Sequence, residues 1–129
     1  MRIARTCGRA GVAFVMVAGS AFAQQALSGD EIARLVTGKT VEMTFHLQKD
    51  VRFRLYFAPD GSAVSRRVGG SDTEGKWRIA EGNLHCTQWG KRNETCAQIV
   101  KDADDTYRRI EAGTVRATWH RIVDGKSLE

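Results

Sequence analysis

From Thr40 onward, apolar and polar residues alternate with a period of two. Val41, Met43, Phe45 and Leu47 alternate with Glu42, Thr44 and His46. After Gln48-Lys49-Asp50 the pattern resumes, with Val51, Phe53, Leu55 and Phe57 set against Arg52, Arg54 and Tyr56. This predicts two strands with one buried face each, folded as a hairpin, with Leu47 on the buried side. Ala58-Pro59-Asp60-Gly61 reads as a turn, because Pro presets the first central position and Gly closes it. A weaker strand over Ser62–Val68 leads into the flexible stretch Gly69-Gly70-Ser71-Asp72. Further strands are predicted over Lys76–Ile79, Leu84–Trp89, Thr95–Val100, Thr106–Ile110 and Thr114–Ile122. Their links carry Gly82-Asn83, Gly90, Asp102–Asp105 and Gly113.

About eight short strands with hairpin-length links and no crossover helix define a mainly β protein, an antiparallel meander. So many twisted strands in so short a chain curl, which predicts a closed or nearly closed barrel. One helix precedes them. Ser28 with Glu31 three positions on forms a capping box, and Leu27 and Ile32 are placed for a hydrophobic staple. Ile32, Leu35 and Val36 make a narrow apolar stripe, and Gly38 fits the stop. So short a helix melts alone, so its stripe is expected to cover a barrel mouth or an open flank.

The stretch Gly75–Cys96 holds three of these strands and two cysteines ten positions apart, symmetric about Lys91. A hairpin folded at Trp89–Asn93 sets Cys86 and Cys96 opposite each other, close enough for a disulfide. The compartment fits. Arg2, Arg5 and Arg9, the apolar run Gly11–Ala18 and the small-residue end Ala21-Phe22-Ala23 read as a secretory signal peptide over residues 1–23. The run is well short of the ~18–20 residues that a membrane span needs, so no span is expected in the chain from Gln24 to Glu129. Localisation is therefore expected to be periplasmic or secreted, where a pair of cysteines is most simply bridged.

Cleavage also changes the charge. The whole chain carries 20 Lys and Arg against 15 acids, but three of the basic residues lie in the signal and no acid does, which leaves +2. Net charge then gives no argument for nucleic acid, and export makes that partner unexpected.

Chemistry is thinly signalled. Arg52, Arg54 and Tyr56 share one strand face and could hold an anionic partner. Arg66, Arg67, Arg78, Arg108, Arg109, Arg116 and Arg121 would join them if several met on the outer surface. The plainer reading is a solvated face interleaved with acids. Trp77, Trp89 and Trp119 could line a ligand cavity. Trp77 and Trp119 are in phase with core positions, so packing is the better reading, and a barrel this small is expected to have no room to spare. His46 and His120 fall on polar faces, the face of His85 is undecided, and no spacing joins the three in a metal site. Asp102-x-Asp104-Asp105 lacks the remaining ligands of a calcium loop. No nucleophile elbow, phosphate loop or dinucleotide fingerprint is present, so neither a catalytic residue nor a cofactor is assigned.

Gly38-Lys39-Thr40-Val41, Tyr56-Phe57-Ala58-Pro59-Asp60-Gly61, Gly75-Lys76-Trp77, Leu84-x-Cys86-x-x-Trp89, Cys96 and Tyr107 together make a pattern running from about Leu35 to Ile122. That pattern resembles a family of small exported bacterial proteins built on a domain of unknown function. The resemblance implies no catalytic residues. Small disulfide-stapled periplasmic inhibitors offer a likeness of fold alone. The expectation is a non-enzymatic exported binder whose leading partner is a protein in the periplasm or outside the cell, as an inhibitor or accessory protein. The alternative is a small-ligand carrier using the tryptophans at a barrel mouth.

Overall fold

The alternating pattern is realised as one sheet closed on itself. In a computed structural model that describes residues 25–129, apart from the side chains of residues 49, 50 and 103, the helix α1 (Gly29–Val36) is followed by eight strands. These are β1 (Lys39–Phe45), β2 (Gln48–Phe57), β3 (Ser62–Arg67), β4 (Asp72–Ala80), β5 (Leu84–Trp89), β6 (Thr95–Lys101), β7 (Tyr107–Glu111) and β8 (Thr114–Asp124). Each pairs antiparallel with the next, and β8 returns to pair with β1, so the barrel is closed and has no free edge. The predicted export signal lies outside the described residues.

Val41, Met43, Leu55, Phe57, Ala63, Ile99, Ala117 and Trp119 point inward and form the core with Ile32 and Val36 of the helix. Register shifts between Glu42 and Met43 and between Arg109 and Ile110 bend the wall and reset which side chains face in. One sequence-based placement fails. The first hairpin turns at His46-Leu47 rather than at residues 48–50, so Leu47 is 85% exposed instead of buried.

A meander puts alternate links at opposite ends. The links after β2 and β4 share one end with α1, which plugs it. Ser28 caps the helix through Glu31 N, and Glu31 returns the bond to Ser28 N at 2.8 Å. Gly29 N donates to Asn83 Oδ1 at 2.8 Å, tying the helix start to the β4–β5 turn. Ile32 and Val36 are completely buried there, which gives the apolar stripe its home. Gly38, at φ 74°, ends the helix and donates to Phe57 O at 2.7 Å, which feeds the chain into β1.

The disulfide joins β5 and β6 at the directly opposed pair Cys86 and Cys96, with Cα atoms 4.0 Å apart. It lies on the outward face, between neighbours His85 and Thr87 that point inward.

Candidate functional site: a cavity at the open end of the barrel

The end opposite α1 is not plugged. A cavity of about 330 Å³ enters the barrel there, walled by Met43, Phe45, Leu55, Phe57, Trp89 and Trp119. An open vestibule of about 990 Å³ lies outside it, sharing Phe45, Trp89, Arg92 and Glu111. The expectation that so small a barrel has no spare room is therefore corrected. The cavity's lining comes from the strands and the link after β5 alone, whereas α1 fills only the other end of the barrel.

The polar part of the lining is built on Arg109, only 5% exposed. Its backbone pairs with Ile99 on β6 and Ala117 on β8. From there the guanidinium reaches over β6 to β5. There one terminal nitrogen donates to His85 Nδ1 at 2.7 Å and His85 O at 3.3 Å. The other donates to Thr87 Oγ1 at 3.4 Å and to Thr95 O and Oγ1 at 3.2 and 3.3 Å. Nε donates to Glu111 at 3.2 Å, so every N–H direction is engaged. Burial pulls the Arg109 pKa down from its usual value, and the Glu111 carboxylate opposes that shift.

His85 is fully buried, with the rings of Phe57, Trp119 and Trp77 around it at centroid distances of 5.0, 5.4 and 5.9 Å. Burial first, and the Arg109 charge second, hold its pKa well below the ordinary value. The ring is therefore neutral. Because a guanidinium only donates, Nδ1 is the bare acceptor and the proton sits on Nε2. His85 Nε2 and Trp119 Nε1 are both buried without a hydrogen-bond partner among the described residues, and both side chains line the cavity.

The vestibule is basic. Arg67, Lys91, Arg92 and Arg116 line it with the single carboxylate of Glu111, which faces Arg116 at 3.9 Å and already accepts from Arg109.

The sequence-derived candidates fall in three places. Trp89 and Trp119 line the cavity. Trp77 sits in the wall against Phe57, its indole N–H donating to Ala58 O at 2.8 Å. Arg52, Arg54 and Tyr56 lie on the outer face, away from the cavity. Arg54 is engaged by Glu42 at 3.4 Å and by Leu128 O at 3.4 Å, while Lys126 lies 5.9 Å from the Tyr56 ring centre. That face is the seat of the protein's own C-terminal segment, which is fixed further by Ser127 N to Thr40 Oγ1 at 2.9 Å and by Arg66 to Glu129 at 3.1 Å.

His46 and His120 are exposed on the outer surface, bonded to Thr118 at 3.0 Å and Thr44 at 2.8 Å, whereas His85 faces inward. Burial and Arg52 lower the His120 pKa, against the pull of Glu42. Arg109 was missed as a site residue because it was grouped with the outer arginines. Its shared parity with Tyr107, across from Trp119, was the available signal. Among the described residues, no helix is long and apolar enough to cross a membrane. No protein-family model, curated protein or solved structure matches this chain.

Proposed function

We propose that the protein is an exported, non-enzymatic binder that takes a small molecule into the open end of its barrel. The observation that carries this reading is the 330 Å³ cavity, whose walls are apolar and whose depth holds the Arg109–His85–Thr87 cluster. Its size is at the lower bound of ordinary ligand pockets, and its lining has their composition, apolar with a few fixed polar groups. The basic vestibule raises the local concentration of anionic or amphiphilic molecules. Trp89 and Trp119 report occupancy directly. Titration of intrinsic fluorescence with aromatic and short-chain apolar compounds is expected to give a saturable change, abolished by Met43→Trp, which fills the cavity. An unsaturable or absent response in the native protein would reject the reading.

A protein partner is the second reading. Leu47 and Val68, 85% and 50% exposed, present apolar surface on the links of the open end, beside the vestibule cations. Leu47→Asp with Val68→Asp is expected to abolish a stoichiometric complex on gel filtration while sparing the fluorescence titration. Retention of the complex by this variant rules those residues out.

A further inference from the structure

We infer that the open end of the barrel selects a free, single-chain anionic amphiphile, a medium-chain carboxylate being the simplest, with its chain on Phe45 and Phe53 and its acid group towards Lys91 and Arg92. This rests on the open end being a small-molecule site and adds the class of molecule it takes.

Charge and apolar surface are segregated around the mouth. In a closed meander of eight strands, β1 and β2 stand across the barrel from β5 and β6. The β1–β2 side presents Phe45 and Phe53, packed edge to face with ring centres 5.0 Å apart. Facing them, the link between β5 and β6 presents Lys91 and Arg92. Arg67 on β3 and Arg116 on β8 flank the aromatic side from the neighbouring strands. A molecule spanning the mouth therefore meets hydrocarbon on one side and cations on the other. Phe45, Trp89 and Arg92 line the inner cavity as well, so the apolar surface continues inward from the vestibule.

The positive charge of the mouth is not matched from within. On the outer wall Arg54, Arg66, Arg78 and Arg108 each meet a carboxylate. Among the described residues, Arg67, Lys91 and Arg92 enter no ion pair. The one carboxylate of the lining, Glu111, accepts from Arg109 at 3.2 Å and lies 3.9 Å from Arg116. The other polar groups there, such as Gln48, Ser65 and Thr73, are neutral and suit a ligand of either sign. Net charge is what discriminates: an anion gains from it, a neutral chain does not, and a cation is repelled. The two sides face each other across a recess of about 990 Å³, which fits one dissolved molecule better than a flat bilayer surface.

Four probes test this: octanoate, octanol, octyltrimethylammonium and butyrate. Binding to the disulfide-intact protein is measured by calorimetry and tryptophan fluorescence at neutral pH. Octanoate should bind about fivefold tighter than octanol, the worth of one or two exposed charge contacts, and the ammonium weaker than octanol. Raising the salt from about 0.05 M to about 0.5 M should remove most of the octanoate advantage without weakening octanol. Butyrate should bind at least about tenfold weaker than octanoate, because four methylenes have lost their apolar seat. Lys91→Gln with Arg92→Gln changes two exposed side chains and should lose most of the octanoate advantage, with retained octanol binding as the check on folding.

Equal affinity for octanoate and octanol, a preference for the ammonium, or an octanoate advantage that survives in the double variant overturns the inference and leaves the open end as a site. Butyrate binding as tightly as octanoate overturns it too, since the mouth would then be an anion site without an apolar seat. The protein should stay in the supernatant when phosphatidylglycerol vesicles are pelleted; sedimentation with them assigns the cations to a membrane surface and overturns the free ligand. If no octyl probe binds while aromatic compounds still give a saturable fluorescence change, the inference fails alone. If those fail as well, the cavity reading falls with it.

Discussion

Acidification should destabilise this fold well above the range where carboxylates titrate, and one side chain should account for most of it. His85 is fully buried, and its Nδ1 receives the Arg109 guanidinium at 2.7 Å. A proton placed on Nδ1 would set two donors against each other beside a buried cation. Its pKa is accordingly held well below the ordinary 6.5, by burial first and Arg109 second. Above that value both folded and unfolded chains hold the ring neutral, and the contribution to pH dependence is nil. Below it only the unfolded chain takes up the proton, so stability falls as the pH falls, towards the folded value. The loss is about 1.4 kcal/mol one pH unit below the unfolded pKa and approaches a further ~1.4 kcal/mol for each unit beyond.

Urea denaturation of the disulfide-intact protein between pH 7.5 and 5 measures this. The lowered carboxylates Glu31, Asp60, Asp72 and Glu94 start from 4.5 or 3.8, so their losses fall mainly below this window. His120 shifts in the same direction, but it is exposed, and His120→Gln removes its share. In the His120→Gln background, His85→Gln keeps an acceptor for Arg109 and cannot titrate, so its profile should be flat. A flat native profile, or an unchanged slope in His85→Gln, would refute the buried neutral imidazole.

Three further outcomes follow from the packing. Replacing both Cys86 and Cys96 with Ala should cost about 2–3 kcal/mol in urea denaturation, the closure entropy of a loop of about ten residues, and native mass mapping should find both thiols blocked. Ile32→Ala empties a fully buried position under the plug and should cost about 2–4 kcal/mol by thermal or urea denaturation, with loss of helix signal in far-ultraviolet circular dichroism. Gly75→Ala sets a methyl group against Gln88 O and 2.5 Å from the Trp89 ring, on the residue paired directly across from Gly75. It should displace Trp89 from the cavity mouth, visible as altered near-ultraviolet dichroism and weakened fluorescence response to ligand; an unchanged Trp89 environment would count against that contact.

The vestibule and the outer arginine face show how local sequence and tertiary placement diverge. Arg54 and Arg66 look available for an anion when read along the chain, yet both meet the C-terminal segment, which returns to the barrel from more than sixty positions away. Arg109 looks like its neighbour Arg108 and behaves in the opposite way, because only one of two adjacent strand residues can face the lumen.

What the sequence determined by itself was local or paired by symmetry. The capping box fixed the helix start, the period of two fixed the strands (Leu84–Trp89 to the residue), and the placement of Cys86 and Cys96 about Lys91 fixed the bridge. Alternation says which residues share a face, but not which face is the inside. That was decided by closure of β8 on β1 and by two register shifts in which β8 carries the extra residue, His120 against β1 and Arg116 against β7, so that the parity of β8 is reset twice. Leu47 went to solvent because the first hairpin turns on it, and closure alone brought His85, Trp119 and Arg109 from three different strands to line one space. Their meeting depends on contacts across the lumen, which have no signature in the spacing of residues along a single strand.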